Sequence, residues 1–311
     1  MKERMNMKLR TLILAISLVF GVSTSLFAQP AAVKKAADAA FTLTTFKADG
    51  SILATSNGVC ISTDGIAVSP WKPFIGADKA VIVDSKGQKH DVECLLGANE
   101  IYDIAKFQVS GKTAAAPLAT TVSAGDEVWL TPILKSGNAE KANVTSVEKF
   151  MDKYNYAILS SSATDKMNGV PVFDKKGQVI GLYNKSGDSQ SSTDANYAKD
   201  FVLKGLSQND ITLRQSDIRI GLPNTLEEAV VALMLSSEKP ANIHEAIVNE
   251  FITKFPESND GYYALANIQI AKGEVANADK TMQTAIGKVT AKDEAHYNYA
   301  RLIYRNALIQ E

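Results

Sequence analysis

The sequence predicts an all-β region of sandwich or barrel type from about residue 40 to 206, followed by an α-helical region from about residue 225 to 311. Three observations predict it. Short alternating or β-branched runs separated by glycine-containing turns fill the first region. Apolar residues at helical spacing, introduced by capping signals, fill the second. Between them, residues 207–224 are polar and carry Gly221 and Pro223, the composition of a linker. At 311 residues the chain exceeds one ordinary domain.

The first thirty residues have the pattern of an export signal. Lys2, Arg4, Lys8 and Arg10 precede an apolar run from Leu12 to Val22, and small residues end at Ala28, ahead of Gln29-Pro30. That run is shorter than the roughly 18 apolar residues of a spanning helix, although an N-terminal anchor is the alternative. The expectation is a signal peptide over 1–28, cleavage near Ala28, and a periplasmic or secreted protein without a membrane span in its mature form. No cysteine follows the apolar run, so a lipid-anchored form is not expected. Cys60 and Cys94 would then meet an oxidising compartment, where they either pair or remain two small buried hydrophobes; sequence leaves both open.

The β region follows in order. Phe41–Phe46 precedes Ala48-Asp49-Gly50, and Gly58–Ser62 precedes Thr63-Asp64-Gly65. Ala80–Asp84 precedes Ser85-Lys86-Gly87, and Val172-Phe173 precedes Asp174-Lys175-Lys176-Gly177. Glycine supplies the positive φ that such hairpin turns require. Only Phe201–Leu206 looks helical near the end of this region.

Beyond it, Thr225 and Glu228 form a capping-box pattern, repeated by Asn242 and Glu245 ahead of a run closed by Pro256. Ala278, Met282, Ala285, Ile286 and Val289 share one helical face, as do His296, Ala300, Ile303, Tyr304 and Ala307. About five amphipathic helices are expected. Tyr262, Leu265, Ala266, Gly273, Ala278, Met282 and Ala285 follow the spacing of a tetratricopeptide unit, which this segment resembles over one repeat. An unrelated helical hairpin bundle is the alternative.

Composition narrows the function classes. A formal net charge of −1 gives no basic excess for nucleic acid or anionic lipid, so no nucleic-acid partner is expected. The two cysteines lack zinc-ligand spacing; neither metal nor cofactor is expected.

Six blocks, in order over residues 40–206, resemble the protease domain of the HtrA/DegP-like branch of trypsin-like serine peptidases. They begin with Asn57-Gly-Val-Cys-Ile-Ser-Thr-Asp-Gly65, and then Gly76-Ala-Asp78 with Ala80–Asp84. Tyr102-Asp-Ile-Ala105 and Ala124-Gly-Asp126 with Val128–Leu130 follow. Asn168-Gly-Val-Pro171 with Val172–Gly181, and Asn196-Tyr-Ala198 with Phe201–Leu203, complete the set. The resemblance implies a trypsin-like all-β double barrel of two Greek-key barrels, with an α-helical repeat domain after it.

Such a peptidase needs a serine nucleophile, a histidine base and an aspartate that orients the histidine. The chain has three histidines, His90, His244 and His296, and none lies in Ser69–Ile75, where the resemblance puts the base. Asn168 stands at the nucleophile position, and Lys166 and Val170 replace glycines of the same loop, whose amides would stabilise an oxyanion. Asp103 alone remains, as a remnant or a structural hydrogen-bond acceptor; the structural role is favoured. No catalytic residue is therefore assigned. A substituted dyad would have to use Lys72 with one of Ser160, Ser161 or Ser162, and nothing in their spacing supports it.

The functional expectation is an inactive peptidase homologue that binds a protein or extended peptide, by strand addition at the barrel cleft and on the helical surface. Candidate binding residues are Trp71, Lys72 and Asn168, with Trp71 either a binding anchor or a buried plug. Tyr262, Tyr263, Tyr297 and Tyr299 would contribute to a helical groove. The alternatives are an active serine endopeptidase with non-standard catalytic residues, and a purely structural scaffold subunit.

Overall fold

The computed structural model describes residues 29–132 and 139–310. The expected signal peptide, residues 1–28, lies outside the described residues.

Among the described residues, twelve strands form two closed antiparallel barrels. The first contains β1 (Ala40–Phe46), β2 (Ile52–Cys60), β3 (Ile66–Ser69), β4 (Lys79–Asp84), β5 (Lys89–Asn99) and β6 (Ile104–Val109), ordered β1-β2-β3-β6-β5-β4. The second contains β7 (Glu127–Leu130), β8 (Glu140–Phe150), β9 (Tyr154–Ser160), β10 (Pro171–Asp174), β11 (Val179–Ser186) and β12 (Ser189–Thr193). Its order, β7-β8-β9-β12-β11-β10, repeats that of the first. β1 pairing with β4, and β10 with β7, closes each ring. Two six-strand barrels in tandem fit a trypsin-like double-barrel fold.

The turn residues act as the sequence expects. Gly65 has φ +89, and a Cβ there would lie 2.5 Å from the Val109 carbonyl, so only glycine closes this corner without strain. Alternating inward residues fill the barrels. In the first, Phe41 meets Phe107 edge-on at 6.0 Å, and Trp71 stacks on Phe74 at 5.8 Å. Val128, Leu130, Val172 and Tyr183 fill the second. Val59, Val68, Ile104, Phe173 and Val179 form a third apolar layer between them, into which α1 (Ala31–Ala36) inserts Val33.

One local expectation is corrected. The helix expected over Phe201–Leu206 lies earlier, at α2 (Ala195–Lys199), where the Asp194 carboxylate accepts the Asn196 amide. The Phe201 carbonyl instead accepts from the Lys106 ammonium, and its ring packs on Tyr197 at 4.8 Å. Residues 207–224, expected as a polar linker, pack against the first barrel. Leu213, Ile218 and Ile220 belong to its core, and the Arg219 carbonyl and Gly221 amide bond the Leu95 amide and carbonyl. Alternating Ile218, Ile220 and Leu222 give this stretch a buried face.

Among the described residues, five helices follow: α3 (Leu226–Ser236), α4 (Ala241–Lys254), α5 (Asn259–Ala271), α6 (Val275–Lys288) and α7 (Lys292–Gln310). Each packs on the next. Small residues permit close approach: a Cβ at Gly261 would lie 2.7 Å from the Phe251 ring. Neither expected capping box forms. Thr225 makes no side-chain cap, and Glu228 instead accepts the Gly205 amide; Asn242 lies inside α4, and Glu245 pairs with Lys272. Among the described residues, no helix is long and apolar enough to cross a membrane.

Candidate functional site

Three residues singled out by the sequence, Trp71, Lys72 and Asp103, meet at two turns. Trp71 precedes a 3-10 turn, Lys72–Phe74, that starts with Lys72-Pro73. The Asp103 Oδ1 accepts from the backbone amides of Trp71 at 2.9 Å and Lys72 at 2.8 Å. Asp103 holds φ +46, outside the usual range for a side-chain-bearing residue, so its surroundings fix its position. Its Oδ2 lies 3.7 Å from the Lys72 ammonium. Because that lysine side chain is 76% exposed, the ion pair contributes at most about 1 kcal/mol. Asp103 is thus a backbone clamp on this turn.

Trp71 is fully buried. Its indole is a plug stacked on Phe74 and offers no face to a partner, which corrects its candidacy as a binding anchor. The indole N–H has no hydrogen-bond partner among the described residues.

Asn168 is half-buried and committed to the backbone. Its Oδ1 accepts the Lys185 amide at 2.7 Å, its Nδ2 donates to the Lys185 carbonyl at 3.3 Å, and its own carbonyl accepts from Asn57 Nδ2 at 3.1 Å. The side chain therefore holds the loop onto β11 as a strand partner would. The loop's amides are also engaged. Asn168, Gly169 and Val170 donate to the carbonyls of Asp165, Tyr183 and Met167 at 3.0, 2.8 and 3.0 Å. Gly169, with φ +82, brings the loop against Asn57 and Pro70, where a Cβ would lie 2.5 Å from the Asn57 carbonyl. An oxyanion site requires unengaged donors aimed at one point, and these three are occupied.

The histidines and serines lie in other networks. His90 Nδ1 donates to the Ser110 carbonyl at 2.7 Å, leaving Nε2 3.6 Å from Asp84. Ser161 Oγ and the Ser162 amide and hydroxyl all converge on Glu140, so neither is aimed at Lys72. His244 Nδ1 lies 2.8 Å from Ser236 Oγ, a pairing the sequence reading missed. Ser236 is fully buried and donates to the Leu233 carbonyl, while burial lowers the His244 pKa; the pair ties α3 to α4. Cys60 and Cys94 are free and buried, and burial pushes both thiols up to about 12. Among the described residues, no cluster of three or more side chains is arranged to hold a metal ion.

The tyrosines expected to form a groove divide. Tyr262 is buried and donates to the Pro256 carbonyl, the Tyr263 hydroxyl is buried, and Tyr299 donates to Asp279. Tyr297 is 63% exposed.

A concavity lies elsewhere. A cleft of about 1270 Å³ runs between β5, β6, residues 196–203 and α4. Its floor holds the Arg219–Glu250 ion pair, and Glu250 also accepts the Leu222 amide at 3.2 Å. Lys254 donates to the Leu222 carbonyl at 3.0 Å, and Lys106 to the Lys199 carbonyl at 2.9 Å and to that of Phe201. Burial lowers the pKa of both lysines. No sequence motif marks this cleft; its residues come from seven separated segments between residues 61 and 254.

No family model matches the chain, and no curated protein matches it.

Proposed function

We propose that this chain is an exported, catalytically inactive relative of HtrA/DegP-like serine peptidases, with tetratricopeptide-like helices, that binds a protein or peptide in the periplasm or outside the cell. One observation carries the reading. The positions that would bear base and nucleophile hold Trp71, a core plug, and Asn168, whose side chain is bonded to the Lys185 backbone. A residue at a reacting centre needs an exposed reactive atom. Strand addition receives less support than side-chain recognition, because closed barrels present no free edge.

A fluorophosphonate probe tests the chemistry. The mature chain is expected to remain unlabelled and to leave casein intact. Asn168→Ser is expected to remain inactive too, since no histidine accompanies it and the loop amides stay engaged. A labelled serine in the parent chain would refute the reading.

A further inference from the structure

We infer that the outer face of α7 is a self-association surface, on which the same helix of a second copy of this chain lies antiparallel about a two-fold axis. Such pairing is independent of the binding function proposed above.

The buried face of α7 is short of half its circumference. Ala295 and Leu302 are buried and join apolar clusters with Tyr262 and Ala266 of α5 and with Met282 of α6. The opposite face carries Tyr297, Ala300 and Tyr304, spaced three and four residues apart, so they form one stripe. Tyr297 is 63% exposed, Tyr304 66%, and Ile303 on the flank 55%. Each tyrosine offers on the order of 100 Å². Together the three side chains make a patch of the size that marks an interaction surface, rather than scattered exposure. The small Ala300 at its centre lets a second helix approach closely, and tyrosine is a residue type enriched where proteins meet.

Charge identifies the occupant. Glu294, Arg301 and Arg305 are exposed and lie on one flank of the stripe, seven and four residues apart. Among the described residues, none of the three enters an ion pair. Arg301 and Arg305 stand one turn apart, and like charges at that spacing destabilise a lone helix. A second α7 laid antiparallel brings like flank to like flank with the chain direction reversed. The acidic first turn of each helix, with Asp293 and Glu294, then meets the arginine-bearing half of the other. With Tyr297 opposite the partner's Tyr304, Arg305 is level with the partner's His296. That is about 3 Å along the axis from the partner's Glu294, a gap a long arginine side chain spans. Each contact occurs twice about the axis, as a two-fold interface requires. A parallel pair would set Arg305 beside Arg305, and a lipid surface would cover the tyrosines while leaving Glu294 unpaired.

Sedimentation equilibrium of the mature full chain tests it. A dimer with a dissociation constant on the order of 10 μM is expected, because one helix face buries less than a standard interface. Tyr297→Glu should raise that constant by at least about tenfold, with the melting temperature of the parent because the side chain is exposed. Glu294→Arg and Arg305→Glu should each be monomeric at the parent's dimerising concentration, since each sets like charges together at both contacts. Mixed in equal amounts, those two variants should form a one-to-one dimer, because every contact then pairs arginine with glutamate. The mixture keeps the test valid if the tyrosine variant misfolds, since recovered pairing requires folded subunits. A parent that stays monomeric at about 100 μM overturns the inference. So does a dimer that Tyr297→Glu and both charge variants leave intact, which would put the interface on another face. A mixture that remains monomeric overturns the antiparallel arrangement and the inference with it.

Discussion

Trp71 and Asp103 illustrate how one residue's environment decides between chemistry and support. Stacked on Phe74 with no exposed surface, Trp71 contributes through the area it removes from water. Trp71→Ala should therefore cost about 3–5 kcal/mol and lower the thermal midpoint by about 5–15 degrees, read by circular dichroism. Trp71→Phe should cost much less, because it also removes an indole N–H left unpaired in the core. The cysteines add a pH dependence. Burial first of all raises the Cys60 and Cys94 thiols from an ordinary 9.0 to about 12. The folded state thus retains protons that the unfolded state releases between those values. Stability from this source is complete below about pH 9 and is lost as pH rises towards 12. Urea midpoints at pH 8 and 10.5 should fall more steeply for the parent than for a Cys60→Ala, Cys94→Ala variant, and neither native thiol should react with Ellman's reagent at pH 8.

At the scale of elements, the segment from Thr212 to Leu222 has two characters. Its polar composition suggests a linker, yet Leu213, Ile218 and Ile220 enter the first barrel's core, and two backbone bonds join it to Leu95. Cleavage requires several residues to leave the structure together, which costs these contacts. Limited proteolysis followed by mass spectrometry should therefore find residues 213–222 resistant; early cleavage there would show the packing to be transient. The helix starts were read less accurately than the helices themselves. Apolar spacing survives any choice of cap, so α6 and its face of Ala278, Met282 and Ala285 appear where the pattern puts them. Glu228 and Glu245 found partners in other elements, Gly205 and Lys272, which a local motif cannot include.

Across the whole molecule, barrels and helices are joined by specific polar contacts. Glu250 of α4 holds Arg219 and the Leu222 amide, Glu228 of α3 holds the Gly205 amide, and Lys239 donates to the Gln208 carbonyl. Glu250→Ala would leave the largely buried Arg219 without its counter-charge, at a cost of about 3 kcal/mol. Both tryptophans, Trp71 and Trp129, are in the barrels, so their fluorescence follows barrel unfolding while far-ultraviolet circular dichroism is weighted to the helices. The two urea transitions should coincide in the parent and separate in Glu250→Ala.

The sequence by itself determined the β-then-α order, the glycine turns and the five-helix region, because period and turn chemistry are local properties. It also determined that no histidine stands at Ser69–Ile75 and no serine at residue 168, since composition at a position needs no coordinates. Only the tertiary structure decided that Trp71 is a plug, that Asp103 clamps a turn, and that Asn168 is bonded to Lys185. Burial and hydrogen-bond partners depend on segments 32 or 17 residues away along the chain. The cleft beside α4 was illegible for the same reason: Lys106, Arg219 and Lys254 share no motif, and folding alone brings their charges to one surface.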